Sequence, residues 1–162
     1  MFTTAVKMDF KQQDKIAAEW LLHYHERKKQ YQIQQEEHTA LSAANYNGLP
    51  RGNGIGRPTE NKGIILAEAE HAHAWLQTIE DAESTLSEKK QAFLDIRRRA
   101  EQLEFVREVG RPGWVDYVQV QYADWHERNY GTEYLPSKKT LHLWWNEIID
   151  VTVRIAIRRG CL

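Results

Sequence analysis

The 162-residue chain holds a single cysteine, Cys161, so it can close no disulfide within itself and assemble no cysteine-based metal site. A reducing compartment suits that scarcity. No stretch approaches the ~20 apolar residues of a membrane span, and Met1 to Lys15 lacks the apolar core of a secretory signal. The expectation is a cytoplasmic protein without a membrane partner. An excess of one charge is also missing, with 22 Lys and Arg against 23 Asp and Glu for a net charge of -1. The sum alone therefore gives no pull toward a polyanion, and distribution matters more. From Glu88 to Leu162 there are 13 cations against 11 acids, and the rest of the chain has 9 against 12.

Catalytic signatures are absent too. No Gly-x-Ser-x-Gly occurs, and Cys161 sits at a terminus expected to fray, a poor setting for a nucleophile. Glu68, Glu70, Glu80, Asp81 and Glu83 fall where a wetted helix face is expected rather than a pocket. The four glycines between Gly48 and Gly56 follow no strand and are not closed by Gly-Lys-Ser/Thr, which argues against a phosphate cradle. The pairs His23 with His25 and His71 with His73 are two residues apart. On a helix that puts them about 200° apart, unable to share an ion. The chain is expected to be no enzyme, with no cofactor and no metal.

What the chain does have is helical patterning. Apolar residues make up 41%, aromatics 10% and charged residues 28%, with a mean hydropathy of -0.69, which suits thin helical layers with much wetted surface. Ile16, Trp20, Tyr24 and Tyr31 predict one long exposed helix over Asp9 to Glu37, whose narrow stripe must pack on another helix or on a second copy of the chain. Leu41 to Pro58 reads as a connector. Thr59 is a candidate N-cap for a helix to about Glu83 that buries Ile65, Ala69, Ala72, Leu76 and Ile79. Ser87 caps the next helix, which buries Phe93, Ile96, Ala100, Leu103 and Val106 and ends near Gly110.

Trp114 to Arg128 carries both a strand-like alternation and a helical repeat. Helix is the better reading, because the segment is longer than a usual strand and a lone strand would have no ladder partner. Gly131 breaks it. Ser137 caps a last helix through Leu141, Trp144, Trp145, Ile148, Ile149, Ile155 and Ala156 toward Arg159, and Gly160 ends it. Adjacent Trp144 and Trp145 cannot face the same way, so one belongs at a boundary. Most of the tryptophans are expected in the core.

Helix, turn and capped helix over Trp114 to Gly160 is the order of a helix-turn-helix, whose second helix enters the major groove. Lys138, His142 and Asn146 lie at four-residue intervals with Lys139 beside them, opposite Leu141, Trp145 and Ile148. Ser137 and the first helical turn offer free N–H groups to a phosphate, and Arg154, Arg158 and Arg159 offer further backbone contacts. Glu133 and Glu147 would repel phosphate nearby, which favours a multimer or a protein partner.

Pro136-Ser-Lys-Lys-Thr-Leu-His-Leu-Trp-Trp-Asn-Glu-Ile-Ile resembles the recognition helix of the promoter-binding carboxy-terminal domain of sigma factors, with Ser-x-x-Thr followed by an apolar residue. The glycine-rich Gly54-Ile-Gly-Arg-Pro-Thr, the Asn61-Lys start and the segment from Ile79 to Arg97 are similar to the small phage and prophage activators of the RinA and ArpU type. The resemblance spans Leu49 to Gly160. It implies DNA binding by Lys138, Lys139, His142 and Asn146, activation of phage or mobile-element genes, and contact with RNA polymerase.

The expected architecture is all-α: residues 1–58 as an amino-terminal helix and Gly/Pro-rich loop available for homo-oligomer formation, and residues 59–162 as a helical domain with a sigma-like helix-turn-helix. Double-stranded DNA is the expected partner. Two alternatives share the pattern: a small terminase-like packaging subunit, and a protein-interaction module that binds a host factor through Trp20 and Tyr24.

Overall fold

The computed structural model describes residues 9–45, 58–103 and 113–162. These residues form six helices and no strand: α1 (Phe10–Leu22), α2 (Tyr24–Asn45), α3 (Pro58–Thr85), α4 (Glu88–Glu101), α5 (Trp114–Tyr130) and α6 (Lys138–Arg158). The all-α expectation and the choice of helix for Trp114 to Arg128 both hold.

The caps follow from the sequence. The Ser87 hydroxyl accepts from the Lys90 amide at 3.3 Å, and the Ser137 hydroxyl accepts from the Thr140 amide at 3.1 Å, each satisfying one of the open N–H groups of a helix start. Gly131, at φ 70°, ends α5. Gly160, at φ 76°, ends α6 in a Schellman motif, where the Cys161 and Gly160 amides reach the Ala156 and Ile157 carbonyls. Cys161 is half-buried, with Sγ 3.6 Å from Thr78 Oγ1, so the expected frayed terminus is instead docked on α3.

Four boundaries differ from expectation. The long amino-terminal helix is two helices, broken at His23, and the second runs on to Asn45, into the expected connector. Pro58 occupies the first position of α3, so Thr59 lies inside that helix instead of capping it. The fourth helix stops at Glu101, well before Gly110; Leu103 is half-buried, and Val106 and Gly110 lie outside the described residues.

The break at His23 has a tertiary cause. The last turn of α1 presents carbonyls without partners in the helix. Arg98 of α4, buried itself, donates from Nε to the Leu21 carbonyl at 2.7 Å, pairs with Glu83 of α3 and lies 5.3 Å over the Tyr24 ring. One guanidinium thus joins the end of α1, the start of α2, and helices α3 and α4.

A single apolar cluster collects Ala17 and Leu21 from α1, Tyr24 from α2, Trp75 and Ile79 from α3, Phe93 and Ile96 from α4, Val118 and Tyr122 from α5, and Leu141, Trp145 and Ile148 from α6. The expected division at residue 58 therefore falls between two helices that pack on each other. Trp20 stacks on Trp75 at 5.5 Å and Tyr31 on His73 at 5.7 Å, so the amino-terminal stripe is satisfied by α3 of the same chain. Trp144, at the core boundary, meets Phe93 at 5.7 Å and Tyr122 at 5.3 Å, while Trp145 is buried against Trp114 and Arg97. Ile65 is exposed and Ala69 and Ala72 only half-buried, because they line an open groove beside α2 at the edge of the core.

Burial pushes the Tyr122 phenol up to about 12, with the Tyr134 and Tyr130 phenols adding to the effect. Since the folded value lies above the ordinary 10.0, the stabilisation by the neutral ring is complete below pH 10 and is lost as pH rises toward about 12. Thermal melts from pH 8 to 11.5 should show an alkaline loss of stability that is smaller in Tyr122→Phe. Identical alkaline profiles would exclude this cause.

Candidate functional site

The side chains singled out in the sequence lie at the start of α6 and along its outer face. The helix builds this arrangement by periodicity: Leu141, Trp145, Ile148, Ile149, Thr152 and Ala156 are buried against α1, α3 and α5. Lys139, Leu143, Asn146, Asp150 and Arg154, spaced by three or four residues, are exposed on the other side. The Thr152 hydroxyl, buried within the apolar side, is satisfied by the Ile148 carbonyl at 2.8 Å.

Among the expected residues, Lys139, Asn146, Arg154 and Arg158 are exposed and make no hydrogen bond or ion pair among the described residues. His142 is exposed, its ring edge-on to that of Trp114 with 5.3 Å between the centroids. Ser137 spends its hydroxyl on the cap, accepting from the Thr140 amide and lying 2.8 Å from the Thr140 hydroxyl. That leaves backbone N–H groups of the first turn as the available donors at this helix end.

Two cations are committed to neighbours. Lys138 Nζ lies 2.9 Å from Asp116 Oδ1 at the start of α5. Both side chains are exposed, and a pair of this kind contributes only about 0 to 1 kcal/mol, so a phosphate can take its place. Arg159 donates to Gln77 Oε1 at 2.8 Å and pairs with Asp81, fastening the end of α6 to α3. Arg154, Arg158 and Arg159 also sit toward the far end of a 21-residue helix, whose length is about 30 Å. The structure therefore divides the expected set into a compact group of Ser137, Lys138, Lys139, His142 and Asn146, and a distant group that includes a structural clamp.

The acids near the helix behave differently from one another. Glu147 is held by Lys90 of α4 at 2.6 Å, so its charge is matched within the protein. Glu133 is exposed in the turn, and Asp150 is exposed on the outer face between Asn146 and Arg154. Sequence reasoning missed Asp116 and Asp150, and it missed Leu143, an exposed apolar side chain among the polar ones.

The connection from α5 to α6 covers residues 131–137, longer than the 3 to 4 residues of a compact helix-turn-helix turn. It is nonetheless tied down. Gln119 Nε2 of α5 donates to the Pro136 carbonyl at 2.8 Å, and His126 Nδ1 lies 2.6 Å from the Thr132 carbonyl. The approach to Ser137 is thereby fixed relative to α5.

Among the described residues no group of three or more His, Cys, Asp or Glu side chains is placed to hold a metal ion, and no helix is long and apolar enough to cross a membrane. Comparison of the chain with protein-family models, with curated proteins and with solved structures gives no match.

Proposed function

We propose that the chain is a sequence-specific double-stranded DNA-binding regulator of phage or mobile-element genes, with α5, the following turn and α6 acting as a sigma-like helix-turn-helix. The observation that carries this reading is the juxtaposition at the start of α6. An open helix N-terminus lies beside Lys138, Lys139, His142 and Asn146, all exposed, while Leu141 and Trp145 anchor the same turns in the core. A helix presented in this way offers lysines and backbone amides to phosphates and His142 and Asn146 to base edges, with Leu143 available to a thymine methyl. The likeness of Pro136 to Ile149 to sigma-factor recognition helices, and of Leu49 to Gly160 to RinA- and ArpU-type activators, supports the same reading and extends it to contact with RNA polymerase.

The test is retention of pooled random duplex DNA by the purified protein at two salt concentrations, with sequencing of the retained fraction. The expected result is salt-dependent retention and an enriched site. Absence of retention at low salt would overturn the reading. A packaging subunit is the second reading, supported by an open groove between α2 and α3 that suits assembly; discrete rings in solution would favour it.

A further inference from the structure

The helices α2 and α3 extend beyond the core as a two-helix arm. Residues 32–41 of α2 and 65–68 of α3 are all exposed, and a groove of about 590 Å³ opens between the helices, with Tyr31, Leu41, Ile65, Leu66 and Ala69 in its walls. The arm leaves Ile33 43%, Leu41 66%, Ile65 56% and Leu66 53% exposed. Helical segments of this length gain most of their stability from a packed apolar face, and among the described residues of this arm these apolar side chains are left open.

The face of α2 centred on Ile33, which borders the groove at Glu37, carries a charge pattern that is complementary to itself. Lys29 and Glu37 lie four residues before and four residues after Ile33, on the face that also holds Ala40. Neither makes an ion pair among the described residues. We infer that two copies of this chain pair through their α2–α3 arms, antiparallel about a two-fold axis near Ile33, with Lys29 of each copy facing Glu37 of the other.

In this isologous arrangement every contact occurs twice, so the two Ile33 side chains meet at the axis and two ion pairs flank them. A parallel arrangement would set lysine against lysine and glutamate against glutamate, and is disfavoured for that reason. DNA is a poor occupant of the face, because the exposed acids Glu26, Glu36 and Glu37 outnumber Lys29 there. The groove that flanks this face has Gln30, Gln34 and His38 in its walls as well as apolar side chains, so the pairing surface is mixed, which fits a pairing that forms and dissociates rather than a permanent core. The inference does not depend on whether α6 reads DNA.

Molar mass by sedimentation at low salt tests it with the full chain. The wild type should dimerise, Ile33→Asp should be monomeric, and Lys29→Glu or Glu37→Lys alone should each weaken pairing about tenfold, with circular dichroism unchanged. Mixing Lys29→Glu with Glu37→Lys in equal amounts should restore pairing, because each then meets the opposite charge in the antiparallel register. A monomeric wild type would overturn the inference. So would charge variants that pair as the wild type does, or a mixture that pairs no better than its components.

Discussion

Replacing Arg98 with alanine should lower the unfolding free energy by about 3 kcal/mol, the range found when a buried charge is removed from its partners. The guanidinium side chain is 5% exposed and serves four neighbours: the Leu21 carbonyl, Glu83, the Tyr24 ring and, at 3.9 Å, Asp95. Its loss leaves a carbonyl at the end of α1 without a donor and opens a void between α1, α3 and α4. Glu83 is 30% exposed and regains water, which keeps the cost from rising further. With a urea slope of about 2 kcal/mol per M, the midpoint should fall by about 1.5 M at unchanged slope. Arg98→Lys keeps the charge but not the planar fork, and should recover only part of the loss. A midpoint within error of the wild type would show that α1 and α2 hold their angle without this bridge.

The second large effect concerns DNA. Each lysine that neutralises a phosphate contributes about 0.9 to the slope of log affinity against log salt, so Lys138→Ala with Lys139→Ala should flatten that slope by about 2 and weaken binding by about ten- to a hundredfold at 0.1 M salt. The fold should survive, since both side chains are exposed and the Ser137 cap is untouched. Asp116→Asn should act in the opposite direction: it releases Lys138 from its 2.9 Å pair and removes a carboxylate from the path of the phosphate, strengthening binding. If the double alanine variant binds as the wild type does, the start of α6 is not the contact surface. If Asp116→Asn weakens binding, the pair orients the lysine rather than competing for it.

Much of the helical layout was legible because local signals sufficed. Ser87 and Ser137 announce their helices, Gly131 and Gly160 end theirs, and the spacing of Leu141, Trp145 and Ile148 separates the buried side of α6 from the side carrying Lys139, His142 and Asn146. The break at His23 was not legible, since its bridge comes from Arg98, 77 residues from Leu21. The extension of α2 to Asn45, by contrast, has a local signal, since the sequence gives no helix stop before Gly48. At the site, exposure followed from periodicity, but the charge partners did not. Asp116 on Lys138, Lys90 on Glu147, and Gln77 and Asp81 on Arg159 are brought in by the packing of α3, α4 and α5, and no spacing rule along α6 reveals them.

The sixth helix is at once an outer face and a spine of the core, with Leu141, Trp145, Ile148 and Ala156 fixed against its neighbours along its length and Arg159 fastening its end. On the proposed function, a helix held in this way would reach the duplex preorganised, losing little ordering entropy on docking and leaving the duplex to adapt. Fidelity and thermal robustness then become one heritable trait. On that reading, a methylene lost beneath Trp145 should disturb the placement of His142 and Asn146 as well as the core, and sequence discrimination should decline on warming before any unfolding is visible.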